Sequence, residues 1–135
     1  MIIVSACLAG FPCRYDGRSC PNEEVISLVA QGKALPVCPE QLGGLATPRA
    51  PVELAGGRAK TRDGLDLTAD FLRGAAETAR LAKLTGAREA ILREDSPSCG
   101  VAQIYDGTFS GKLIPGQGLT AGLLCKSWLK VRGLR

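Results

Sequence analysis

Three short apolar runs in this chain each lead to a cysteine: "MIIVSA" stops at Cys7, "ALPVC" ends on Cys38, and "REAIL" passes through "REDSPSCG" to Cys99. Runs this short, rich in branched residues and bounded by turn formers, are read as buried strands. Helical patterns separate them. "NEEVISLVAQG" offers Asn22 as a cap, Glu23 and Glu24 at the positive end of the dipole, and Gly32 as a stop. "DLTADFLRGAAETARLAKLTG" spaces Phe71, Leu72, Ala75, Ala76, Ala79 and Ala82 for one helical face, with Asp66 or Thr68 as cap. A last helix through "LTAGLLCKSW" and a strand at "LKVRG" close the pattern, while "VELAGGRAKT" reads as a hairpin turning at Gly56 and Gly57. Buried strands alternating with helices predict a parallel sheet joined by right-handed crossovers. At 135 residues the expectation is one α/β domain over residues 1–135, Rossmann-like, its mainly parallel sheet flanked by helices.

In such sheets ligands bind beyond the carboxyl ends of the strands, which is where Cys7, Cys38 and Cys99 fall. The chain has six cysteines and no histidine. That absence excludes a Ser-His-Asp triad, a Cys-His thiol hydrolase, a two-histidine zinc protease and any mixed Cys-His zinc site. Thiolate remains as the soft ligand, which favours zinc, copper(I) or an iron-sulfur cluster. No C-x-x-C occurs, which argues against a zinc ribbon or a thioredoxin-like pair. Cys13 and Cys20 lie in the first loop, and Cys125 sits in an apolar helical stretch where a core role suffices. Seventeen basic against thirteen acidic residues leave a formal charge of +4, far from the basic density of a dedicated nucleic-acid binder. No apolar run approaches the ~18 residues needed to cross a bilayer, and "MIIVSACLAG" lacks a basic leader. The cytoplasm is the expected compartment, and there cysteines serve metal or thiol chemistry more often than disulfides.

Five segments in order, "VSACLAGFPCRYDG", "PVCPEQLGGLATPRAPVE", "DGLDLT", "SPSCG" and "YDGTFSGKLIPGQGLTAGLL", resemble the DUF523 family, whose characterised members are iron-sulfur-dependent thiouracil desulfidases. The resemblance implies a 4Fe-4S cluster held by three cysteines, Cys7, Cys38 and Cys99, with one iron open to the sulfur of a thiolated uracil. It also implies catalytic roles for Glu40 and Ser96. Cys13 is set aside as a ligand, on the expectation that relatives carry other residues there. The chemistry is coherent: exchanging thiocarbonyl sulfur for oxygen needs a soft Lewis acid and an attacking water, and Glu40 is placed to act as general base, with Ser96 passing a proton or holding the base. In "SPSCG", Pro97 would stiffen the turn while Ser98 and Gly100 let backbone N–H groups approach cluster sulfur.

The implied partner is a small thiolated nucleobase or nucleoside, with RNA and the oligomeric state left open and no membrane involved. Arg14, Tyr15, Asp16, Tyr105 and Phe109 are candidates to stack on or hydrogen-bond the base. Arg49 and Glu53 either form a structural ion pair or line the pocket. The glycines at Gly43, Gly44, Gly116 and Gly118 are read as turn formers before phosphate binders. Lys126, Lys130, Arg132 and Arg135 are read as a solvated basic tail. Two rival functions stand beside the desulfidase: a non-enzymatic module closing on structural zinc, with Cys13, Cys20 or Cys125 as fourth ligand, and an iron-sulfur sensor without turnover.

Overall fold

A computed structural model describes residues 1–135. Strand β1 (Ile2–Ser5), a 3-10 turn (Ala6–Ala9), α1 (Glu23–Ala30), β2 (Ala34–Val37), a short α2 (Pro39–Leu42), the β3 (Val52–Ala55) and β4 (Arg58–Thr61) hairpin, and α3 (Thr68–Thr85) fill the first part. Then come β5 (Glu89–Arg93), the β6 (Gln103–Tyr105) and β7 (Leu113–Pro115) hairpin, α4 (Leu119–Lys126) and β8 (Lys130–Leu134). The main sheet has the order β2-β1-β5-β8, and all three pairings are parallel. No helix is long and apolar enough to cross a membrane.

Successive residues of the central strands feed opposite layers, as the two-residue period of a strand requires. Ile3, Ala90 and Leu92 pack with Ala82, Ala121 and Leu124 from α3 and α4. Val4 and Ile91 pack on the other face with Val25 of α1, Leu8 and Cys13. A smaller cluster of Val52, Leu54, Ala59, Phe71 and Ile104 seats the two hairpins.

The caps explain the helix ends. Asn22 Oδ1 accepts from Val25 N at 3.2 Å, and Gly86 closes α3 at φ 68°. Asp66 accepts from Thr68 N, while the Thr68 hydroxyl accepts from Ala59 N and ties α3 to the first hairpin. The buried face of α3 differs from the one the sequence pattern predicts. Leu72 and Ala76 are exposed, and Gly74 and Thr78 are buried beside Phe71, Ala75 and Ala82. The reason is α2, which the sequence presents only as loop. It crosses α3 so closely that a Cβ on Gly74 would lie 1.9 Å from Pro39 O, and one on Gly43 2.1 Å from Asp70 O. Thr78 tolerates burial because its hydroxyl donates to Gly74 O at 2.8 Å. Gly43 thus serves close packing; Gly118 approaches Ser98 O within 2.4 Å of a virtual Cβ in the same way.

Glu94 ties the end of β5 to residues 101–103. Its carboxylate is buried, yet Oε1 accepts from the backbone of Val101, Ala102 and Gln103 at 2.7, 2.9 and 3.3 Å. Burial alone would raise its pKa, but these N–H groups outweigh that and lower it. The ionised form is therefore the stabilising one. Glu94→Gln is expected to cost about 1.5 kcal/mol at neutral pH. Because the folded-state pKa is depressed, the wild-type advantage is present above the unfolded value of about 4.3 and fades as pH falls through the folded one. Urea midpoints of the two proteins should converge in acid.

Candidate metal centre

The carboxyl edge of the sheet opens into one cavity of about 410 Å³. Cys7 enters it from the 3-10 turn after β1, Cys38 from the residue after β2, and Cys99 from the turn after β5. Glu40 and Ser96 line the same space. So does Cys13, which lies buried within side-chain hydrogen-bond reach of both Cys7 and Cys38. The Cys38 thiol also faces Cys13 O at 3.8 Å. Cys20 stays outside the cavity, and Cys125 is exposed on α4 instead of buried in the core. Its face of α4 is turned to solvent; Ala121 and Leu124 fill the core.

All six cysteines are free thiols. For Cys38, the hydrogen bond to Cys13 and then burial push the thiol up. Cys13 is drawn down by Cys38, but Cys7 and burial prevail and carry it to about 11. Burial raises Cys99 to about 12 against hydrogen bonds with Ser5 and Ser98. Clustered thiols of this kind ionise readily only when a soft cation receives them. No three His, Cys, Asp or Glu side chains converge on a point that would hold one ion. The donor set, thiols spread around a cavity with no histidine among them, suits a multi-iron cluster better than a closed four-ligand zinc site.

The mounts are specific. In "SPSCG" the Ser96 hydroxyl oxygen accepts from Ser98 N and Cys99 N, both at 3.0 Å, and Gly100 N donates to Ser96 O at 2.9 Å. The N–H groups of Ser98 and Gly100 are thus consumed inside the turn, which corrects their expected approach to cluster sulfur. The turn in exchange caps α4: Leu119 N donates to Pro97 O, and Thr120 N and Ala121 N donate to Ser98 O. On the other side, Ser5 Oγ accepts from Arg93 N at 2.9 Å and fastens β1 to β5 just below Cys99.

Glu40 neither caps a helix nor faces water. It pairs with Arg49, Nε to Oε1 at 2.9 Å, with both side chains largely buried. Arg49 also donates to Cys13 O, Ala46 O and the Thr47 hydroxyl. Its pairing with Glu40 settles one open choice: Glu53 is not its partner. Glu53 accepts instead from Gly107 N and Phe109 N. Arg14, Tyr15, Tyr105 and Phe109 line the cavity, whereas Asp16 turns away to accept from Arg18 N. Lys126, Lys130, Arg132 and Arg135 are all exposed, as expected of a solvated tail, and two of them form surface ion pairs, Arg132 with Glu24 and Arg135 with Asp95.

Sequence reasoning missed Glu94, Arg62 and Arg93, and it weighed Cys13 without placing it beside Cys7 and Cys38. Arg93 lines the cavity, and its Nε is a buried donor without a partner. The charged "RED" after an apolar strand is the available signal for Arg93 and Glu94.

Removing the Arg49 guanidinium strands a mostly buried carboxylate. Arg49→Met should lower stability by about 3 kcal/mol, and adding Glu40→Leu should restore part of that loss in a denaturation-based double-mutant cycle.

Residues 2–133 match the model of a family described as 2-thiouracil desulfurase. An uncharacterized protein of Bacillus subtilis (strain 168), YbbK, is 45% identical over 141 residues, spanning 97% of this chain and 93% of its own. A solved structure of the [4Fe-4S]-dependent thiouracil desulfidase TudS superposes with a TM-score of 0.94 at 47% identity, covering 98% of this chain and 89% of that one.

Proposed function

The chain belongs to the 2-thiouracil desulfurase family, and from that membership we propose that it is a desulfidase converting a thiolated pyrimidine of the thiouracil or thiouridine class to the oxo base, with release of sulfide. The observation that carries this reading is the meeting of Cys7, Cys38 and Cys99 with Glu40 and Ser96 in one cavity. We take the whole of residues 1–135 as one functional domain, working in the cytoplasm, where thiols stay reduced.

Cys7, Cys38 and Cys99 would hold a 4Fe-4S cluster as thiolates, each on a turn anchored to a different parallel strand. When bound, the cluster supplies a soft Lewis-acidic corner for the substrate's sulfur. The exchange involves no change of oxidation state: one C–S bond breaks, one C–O bond forms from water, and sulfide leaves with the water's protons. Glu40 is the base that takes a proton from that water. Arg49 fixes Oε1, which leaves Oε2 to accept and holds the carboxylate in one orientation. Of the two roles expected of Ser96, we take the first: its oxygen already accepts two N–H bonds and it makes no hydrogen bond to Glu40, so it serves by donating its hydroxyl proton into the cavity.

Protein reconstituted anaerobically should yield uracil and sulfide from thiouracil. Iron and sulfide content should collapse in Cys7→Ser, Cys38→Ser and Cys99→Ser and persist in Cys125→Ser. Glu40→Gln should retain iron and lose about 10²-fold or more in turnover. Full iron with full activity in any of the three ligand variants would remove that cysteine from the site, and bound zinc without sulfide would end the reading.

A further inference from the structure

Residues from both hairpins line the cavity together with the thiols. The turn between β6 and β7 contributes Phe109 and Gly111 to that wall and is closed by Asp106 N donating to Lys112 O at 3.0 Å. Inside that turn, Asp106 Oδ1 accepts from both the backbone and the hydroxyl of Thr108. Glu53 on β3 grips the turn from outside: Oε1 accepts from Gly107 N and Phe109 N, each at 3.0 Å. The approach is tight as well, since a Cβ on Gly107 would meet Ala55 Cβ and Leu54 O at 2.8 Å.

What this double anchorage holds is Phe109, in the left-handed region at φ 57°. A bulky residue adopts that backbone only where its surroundings impose it, and such positions cluster at functional sites. Phe109 is no core residue. It belongs to none of the buried apolar clusters and remains half-exposed on the cavity wall. The Arg62 guanidinium, which has no carboxylate within 4.0 Å, lies over the ring at 5.2 Å from its centroid. The cation held against the ring face fixes the orientation of the ring at the cavity wall.

Resting on the desulfidase reading, we propose that Phe109 is the stacking platform for the pyrimidine ring and that Glu53 is the positioning residue that holds it at the cavity wall. Stacking reads the flat face of a base and ignores which chalcogen it carries. Substrate and oxo product should therefore depend on Phe109 alike, while the choice of sulfur over oxygen is left to the thiol side.

The test uses the iron-loaded protein, with iron content and thermal midpoint checked for each variant. Phe109→Ala should raise KM for thiouracil, and weaken inhibition by uracil, by about tenfold, the scale of losing one base–aromatic stack, with a smaller change in kcat. Phe109→Trp should restore both. Glu53→Gln keeps the shape of the side chain and should raise KM and the uracil inhibition constant in parallel with unchanged iron content. Unaltered KM and uracil inhibition in both Phe109→Ala and Glu53→Gln would overturn the assignment while leaving the desulfidase reading intact. A wild-type protein that converts no thiolated pyrimidine would overturn both.

Discussion

The parallel pairing of β1 with β2 on one side and β5 on the other is the constraint on which the site depends. It points three carboxyl ends the same way, so that cysteines separated by 31 and 61 positions (7 to 38, 38 to 99) reach one cavity. Both faces of these strands are apolar, so burial penalises a one-residue slip less than it would in a half-exposed sheet. A buried polar group supplies the missing discrimination. The Ser5 hydroxyl accepts from Arg93 N across the β1–β5 pair. A slipped register there would leave it unsatisfied in the interior.

Arg49 performs a comparable task on the loop side. One guanidinium joins the Glu40 carboxylate, the Cys13 and Ala46 carbonyls and the Thr47 hydroxyl, while its own N–H donates to Tyr15 O. The first loop and the segment after α2 are thereby fixed relative to each other. The planar fork of arginine allows this, where a lysine would supply a single point of charge. Cys13 is held in place by the same bond, which explains how a residue from the tip of a glycine-bearing loop comes to rest beside two proposed ligands.

The four strands of the main sheet, the Asn22 cap, the first hairpin and the cysteines at strand ends were legible because each is a local pattern, a short apolar run, a capping side chain or a glycine pair, whereas the β6–β7 hairpin, in a glycine-rich stretch, was not. What escaped were relations between distant positions. Glu53 finds its partners 54 and 56 residues away. Gly43 and Gly74 are small because two helices cross there, a fact neither local sequence contains. Leu72 is the matching failure: helical spacing assigned it to the core, but α2 rotates the buried stripe toward Gly74 and Thr78. Cys125 failed likewise, since an apolar stretch does not reveal which of its residues turns to solvent. The roles of Glu40 and Ser96 came from family resemblance; spacing alone left both as ordinary surface or turn residues.

The architecture separates the residues proposed for chemistry from those proposed for recognition. Cys7, Cys38 and Cys99, with Glu40 and Ser96, sit on turns clamped directly to the parallel sheet or to helices packed on it, and such mounts transmit little motion. Phe109, Tyr105 and Arg62 come from or adjoin two-stranded hairpins, which the Glu53 contacts join to each other and which a small apolar cluster, the Thr68–Ala59 bond and Glu94 attach to the body. Two-stranded units are marginal alone and gain stability from what they pack on. Substitutions on the hairpins can therefore alter that wall of the cavity without moving the thiols, whereas adding even one methyl group at Gly43, Gly74 or Gly118 would force backbone apart next to the turns that carry Cys38 and Cys99.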